Sequence, residues 1–496
     1  MYRRTAWLRH NCLKTLLVLL ALLTMAEPST AQKRSSKKND KKQPNVLFIA
    51  SDDLNVDMNA FDNPFIKTPN LDRLRKMGVR FDKAYNQFPL CGPSRASIMT
   101  GLRPDKTQTK DLFTFFRDKI PNVVTMPQMF MKNGYFTARV GKIFHYGVPS
   151  QIGTNGQDDS LSWNYRVNPK GIDKEQEDKI TNYQPGVGLG GALSFWAAPG
   201  TDDDQTDGKV ANEAMKIMEN HRNKPFFMAV GFFRPHTPFV APKKYFDMYP
   251  LDKIQLPEQR ADDWANKPAI ARYTLKDHYG LNEKQQKEVT QAYYASISFM
   301  DAQVGKLLNK LDELDLTDNT IIVFWSDHGF SLGQHAQWQK QTLFEHVARV
   351  PLIIAAPGYS KDRITESPVE MIDLYPTLAE LAGQTPPKEI QGKSLVKLLK
   401  NPEITEDVPA YTDLRKSMVE QKYWYKNIDK EYDGRSVRFR QWRYTEWNDG
   451  NDGAELYDYD RDPNEFTNLA DNPDYADIRA MLRKKLHEVR ETPGQI

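Results

Sequence analysis

Short apolar runs alternate with amphipathic stretches along most of this chain. Asn45-Val-Leu-Phe-Ile-Ala50, Pro225-Phe-Phe-Met-Ala-Val-Gly231, Asn319 to Trp325 and Pro351 to Ala355 are apolar on both faces. That is the pattern of strands buried inside a parallel sheet. Val79 to Tyr85 and Tyr135 to Val140 read as two further strands. Between them lie segments of helical period. One opens at Thr68-Pro69, with Thr68 as N-cap, and runs through Leu71, Leu74 and Met77 to Gly78. Ser94 to Thr100, after Pro93 and ended by Gly101, reads as helix, as do Met126 to Asn133, Lys209 to His221 and Asp373 to Gly383. Glu283 to Leu314 is a long helix with Tyr294, Ile297, Met300, Val304 and Leu308 on one face. Strands alternating with helices predict an α/β fold around a mostly parallel sheet.

Residues 147–200 are rich in Gly, Asn and Asp and predict a long surface insertion, and 240–285 is irregular. Past about residue 400 the texture changes. Tyr423-Trp-Tyr425 and Ser436 to Trp447 are aromatic and alternating, which predicts a small antiparallel sheet closed by a helix from Tyr475 to Val489. The division expected is a leader over 1–31, a basic tether over 32–43, a large domain over 44–405 and a smaller α+β domain over 406–496.

The N-terminus changes the reading of charge. Arg3, Arg4 and Arg9, the apolar run Leu16 to Met25 and the small residues Ser29-Thr30-Ala31 have the form of a signal peptide cleaved near Ala31–Gln32. Such a protein is exported, periplasmic or secreted, with no stable membrane insertion after cleavage. Residues 1–43 hold ten Lys/Arg against two Asp/Glu, so the +3 of the 496-residue chain leaves −5 for 44–496. The basicity belongs to leader and tether, which removes the main support for a nucleic-acid partner.

Only two cysteines exist, Cys12 in the leader and Cys91. The mature chain therefore has one thiol and no internal disulfide; it is either a reactive group or a small buried hydrophobe. Two strands end alike, in Asp52-Asp53 and in Asp327-His328. Ligands of open α/β sheets bind at the carboxyl ends of parallel strands. Three carboxylates with one imidazole there favour a hard divalent cation, with Zn2+ or Mn2+ as imidazole-tolerant alternatives.

Cys91-Gly-Pro-Ser-Arg95, followed by Ser97 and Met99-Thr-Gly101, resembles the signature of type I sulfatases. Asp52-Asp53-Leu54, Gly141-Lys-Ile-Phe-His145, Val230 to Pro238, Ser326 to Lys340 and Arg443-Tyr-Thr-Glu-Trp447 are most similar to the iduronate-2-sulfatase branch, and the similarity spans nearly all of 44–496. The resemblance implies an alkaline-phosphatase-like sulfatase fold and a Cys91 oxidised to formylglycine by a maturation enzyme. It implies Ca2+, ahead of Mg2+, on Asp52, Asp53, residue 91, Asp327 and His328. Hydrated formylglycine would offer one hydroxyl to attack sulfur and a second to expel sulfate. Arg95 would orient residue 91 and offset charge. Lys142 and His145 would flank the nucleophile, with His145 as the base. His236 and Lys340 would bind sulfate oxygens, one of them protonating the departing alcohol.

Gly92 replaces the alanine common after the cysteine in this branch, and Gln334, beside His335, stands where the branch often has an acidic residue. The expected activity is hydrolysis of O-sulfate esters of sulfated sugars, with 2-O-sulfated uronate in a glycosaminoglycan or an algal polysaccharide such as ulvan as substrate. A phosphomono- or diesterase of the same superfamily and a non-catalytic sulfated-glycan-binding protein are the alternatives.

Overall fold

The computed structural model describes residues 43–274, 276–418 and 428–491. The leader, all but the last residue of the tether, and Tyr423-Trp-Tyr425 lie outside the described residues. Eight strands form the main sheet: β1 (Asn45–Ser51), β2 (Val79–Phe81), β3 (Phe136–Gly141), β4 (Tyr165–Val167), β5 (Phe226–Gly231), β6 (Thr320–Ser326), β7 (Leu352–Ala355) and β8 (Arg363–Thr365). Their order is β8-β2-β7-β6-β1-β5-β3-β4, and only β7 runs against the rest. The apolar runs at β1, β5 and β6 occupy adjacent central positions. That is why both faces of each must be apolar.

Helices cover both faces. Along β1, Leu47 and Ile49 pack with α1 (Pro69–Met77) and with two longer helices introduced below. Val46, Phe48 and Ala50 pack on the opposite side with α2 (Cys91–Thr100) and α3 (Met126–Lys132). The longer helices on the first side are α4 (Thr206–His221) and α5 (Glu283–Glu313); α6 (Leu374–Leu381) joins the second. The apolar face predicted for α5 is buried in full.

The C-terminal portion is an antiparallel sheet of β9 (Ala410–Met418), β10 (Ile428–Phe439), β11 (Trp442–Trp447) and β12 (Ala454–Asp458), paired in that order. Helix α7 (Ala476–Glu491) lays Leu482 and Leu486 against Val437, Phe439 and Leu456.

Several local expectations need correction. The helix expected from Ser94 starts at Cys91, because a proline at the third helical position lacks only an N–H that would have no intrahelical partner anyway. Val79 to Tyr85 is two short strands in different sheets. Thr68 precedes α1 as expected, but its hydroxyl accepts from the Ala60 amide; Asp301 of α5 instead accepts from the Asn70 and Leu71 amides at 3.1 and 2.8 Å. Residues 147–200 are not simply a surface insertion. They supply edge strand β4, a strand over Ser194–Ala198 that pairs with Phe239–Pro242, and the buried Asp173.

Candidate active site

Four neighbouring parallel strands, β6, β1, β5 and β3, deliver their carboxyl ends to one place. The β1–β6 register pairs Ser51 with Ser326, so Asp52 and Asp327 leave the sheet side by side. Asp53 follows at a φ of 63°. Its conformation is held from three directions. Its amide donates to Asp327 Oδ1 at 3.2 Å, its carbonyl accepts the Tyr293 hydroxyl at 2.8 Å, and the next amide donates to Ser326 Oγ at 3.0 Å. Tyr293, on α5, carried no signal in the sequence beyond helical periodicity.

Cys91 is the first residue of α2, and its thiol is buried. Sγ lies 3.2 Å from His328 Nε2, 3.2 Å from Lys340 Nζ and 3.7 Å from Asp53 Oδ1. Lys340 Nζ also contacts both Asp53 oxygens, at 2.7 and 3.0 Å. Lys142 Nζ sits on Asp52 Oδ2 at 2.7 Å. Arg95, one turn beyond Cys91, donates Nε to Asp327 Oδ2 at 2.7 Å, Nη2 to Asp52 Oδ1 at 3.1 Å and Nη1 to the carbonyls of Lys142 and Ile143. Its hydrogen bonds thus go to the two carboxylates, to the Ser51 carbonyl at the end of β1 and to the carbonyls that follow β3, and none goes to Cys91.

Two of the three expected imidazoles are oriented by carbonyls. His328 Nδ1 faces Gly329 O at 2.9 Å and His236 Nδ1 faces Thr237 O at 2.5 Å. A carbonyl only accepts, so each Nδ1 carries the proton and each Nε2 turns inward. His236 Nε2 is 3.7 Å from Asp53 Oδ2. The neighbouring Arg234, missed in the sequence, fixes this loop. Its guanidinium pairs with Asp173 at 2.7 Å, and the amides of Phe233 and Arg234 donate to Asp207. A partner acid for an Arg-Pro-His segment was there to look for, but Asp173 lies in a stretch without periodicity. His145 stands beside the Cys91 thiol, partly buried, and its Nδ1 makes no hydrogen bond to any described residue.

The electrostatics follow from this packing. Burial pushes the Cys91 thiol up, but Lys142, Lys340 and His328 outweigh it and hold the thiol well below its ordinary value. Burial opposes charge on His328, yet Asp327, Cys91 and Asp53 raise it to about 9. Burial raises Asp327 to about 6 against the pull of Arg95 and His328. Burial lowers His145, which favours its neutral form.

The donor chemistry fits a hard divalent cation. Asp52, Asp53 and Asp327 are wholly buried. Donor atoms of Asp52, Asp53, Cys91 and His236 lie within 4.8 Å of one another, as do those of Cys91, Asp327 and His328. All five expected ligand residues are therefore together, and His236, expected on the sulfate side, is within the same reach. Arg95, Lys142 and Lys340 already offset part of the charge of these carboxylates, and the oxygen-rich donor set suits a hard cation. Lys142 and Lys340 bring two ammonium groups to the same place, each on one of the carboxylates.

An α/β fold that gathers a thiol at a helix N-terminus, three buried carboxylates and two lysines at its strand ends has the make-up of a hydrolase of anionic esters. The profile of the family described as Sulfatase matches residues 44–384, and that of N-sulphoglucosamine sulphohydrolase, C-terminal, matches 333–492. A sulfatase of Formosa agariphila is 35% identical, covering 93% of this chain and 89% of that one. Human iduronate 2-sulfatase is 32% identical over 88% of this chain and 93% of its own. Among solved structures, a phosphonate monoester hydrolase from Silicibacter pomeroyi shares the fold, with a TM-score of 0.74 at 21% identity over 91% of this chain and 96% of that one. The chain belongs to the sulfatase family, and its activity is sulfuric ester hydrolysis.

Proposed function

We propose that this sulfatase is exported and removes O-sulfate from sulfated sugars, with 2-O-sulfated uronate of a glycosaminoglycan or of an algal polysaccharide such as ulvan as its substrate. The observation that carries the reading is the position of Cys91, at the head of α2 inside a ring of three carboxylates, two lysines and three histidines. Similarity to human iduronate 2-sulfatase over most of both chains supports the uronate. The signal-like composition of residues 1–31 supports export, and no described helix is long and apolar enough to cross a membrane.

In this reading a maturation enzyme converts Cys91 to formylglycine, and Asp52, Asp53, Asp327, His328 and residue 91 would hold Ca2+. The hydrated aldehyde would offer an oxygen nucleophile and a second hydroxyl, and a cation held there would supply Lewis acidity to the first. Lys142, Lys340 and His236 bind the sulfate oxygens and keep sulfur over residue 91. His145, kept neutral by burial, takes the proton of the hydroxyl that expels sulfate. His236 or Lys340, both on the Asp53 side, gives the departing alcohol its proton. Arg95 holds the carboxylates in place.

A desulfation screen over defined sulfated oligosaccharides, with matched aryl sulfate and aryl phosphate esters, tests this. Turnover of 2-O-sulfated uronates, and of sulfate faster than phosphate, is expected. Activity confined to sulfated hexosamines would reject the uronate. Faster phosphate hydrolysis would reject the assignment to sulfate.

A further inference from the structure

We propose that His335, His346 and Glu465 form a second cation site, suited to a transition metal of the zinc class, where the loop after β6 meets the C-terminal portion. One donor atom from each lies within 4.8 Å of the other two. His335 and Glu465 are almost fully buried, and the imidazole planes of His335 and His346 lie 27° apart with centroids at 5.7 Å.

The tautomers suit a metal. His335 Nδ1 lies 3.0 and 3.1 Å from the two oxygens of Asp263, which is itself anchored by Lys267. A carboxylate on Nδ1 leaves Nε2 with its lone pair, the usual arrangement behind a zinc-binding histidine. His346 Nε2 is buried and makes no hydrogen bond to any described residue. An unpaired buried nitrogen is costly, and a metal would satisfy it.

Glu465 is positioned rather than exhausted. Oε1 accepts from the Tyr459 hydroxyl at 2.6 Å and Oε2 from the Glu345 amide at 2.8 Å, and Arg443 Nε lies 3.3 Å from Oε1. Oε2, with a single partner, keeps a lone pair. Two imidazoles and one carboxylate select Zn2+, Co2+ or Ni2+ over the hard cations suited to the Asp52 cluster. The three residues also line a cavity of about 590 Å3, with Gln334, Glu345 and Arg349 around it. Metal there would tie Glu465, beyond β12, to the loop that leads from His328 to Lys340.

The test is Zn2+ titration of the full-length protein by calorimetry, with Ca2+ in excess to fill the oxygen-rich centre. One tight zinc equivalent is expected, weakened at least tenfold in His346→Gln and in Glu465→Gln. Equal zinc binding by wild type and both variants would overturn the proposal. Should the variants fail to fold, wild-type crystals soaked in Zn2+ decide it. An anomalous peak about 2.1 Å from both imidazoles is expected. Its absence at these residues overturns the site.

Discussion

Arg95 fixes the ends of three strands with one side chain. Its guanidinium bridges Asp52 after β1 and Asp327 after β6, and holds the carbonyls that follow β3. Lysine offers one point charge and no fork, so it cannot span both carboxylates. Arg95→Lys should therefore destabilise the fold by about 3–5 kcal/mol, since a buried carboxylate loses its partner, and should remove nearly all turnover. Denaturant melts and a sulfatase assay check both, and unchanged stability would show that the carboxylates do not depend on Arg95. At this scale the residue types of the site were legible because its motifs cluster in sequence. Their mutual contacts were not: Arg95 reads as orienting residue 91 and offsetting charge, without showing that the charge is that of Asp52 and Asp327. Tyr293, Asp173 and Arg234 act through contacts far apart in sequence, which no local pattern reveals.

The strand ends approach each other so closely that backbone meets backbone. A Cβ added to Gly231 would lie 1.8 Å from the Lys142 carbonyl oxygen and 2.3 Å from its carbon. Neither atom is the tip of a flexible side chain. Gly231→Ala should push the end of β3 outward, carry Lys142 off Asp52, cost about 1–3 kcal/mol and lower kcat more than tenfold. Gly134→Ala is the control. Gly134 has a φ of 84° and nothing within 4 Å of its added Cβ, so only the left-handed backbone is penalised, by roughly 1–2 kcal/mol, and turnover should survive. Equal kcat in the Gly231 variant would refute the coupling of these strand ends to the site. Elements with strong patterns were readable: β1, β5, β6 and α5 fall within a residue or two of their expected bounds. Short strands such as β4 and β8 leave no periodic trace and were passed over.

Across the whole molecule, Lys416 of β9 reaches from the C-terminal sheet to the carbonyls of Ile270 and Arg272, at 2.5 and 2.8 Å, over the Trp447 ring. Burial lowers this ammonium to about 7, with Glu455 opposing. Between that value and the ordinary lysine range the unfolded chain holds a proton that the folded chain has released, so stability gains from rising pH. The advantage of wild type over Lys416→Met should thus grow between pH 7 and 10, by up to about 1.4 kcal/mol per pH unit. Thermal melts across that range read it, and a pH-independent difference would mean that the two carbonyls keep Lys416 charged. The α/β architecture with a C-terminal antiparallel sheet was visible as a change of texture near residue 400. The contacts that join the two portions, through the 240–285 stretch and through Asn86, Gln87, Glu345 and Glu370, were not.

The central claim rests on what residue 91 becomes. Mass spectrometry of the peptide around Cys91, after expression with a formylglycine-generating enzyme, measures it directly, with desulfation assayed on the same sample. The account predicts that sulfur and two hydrogens are replaced by one oxygen, in proportion to activity, and that Cys91→Ala is inactive. A fully retained thiol in an active enzyme, with Cys91→Ala equally active, would contradict it.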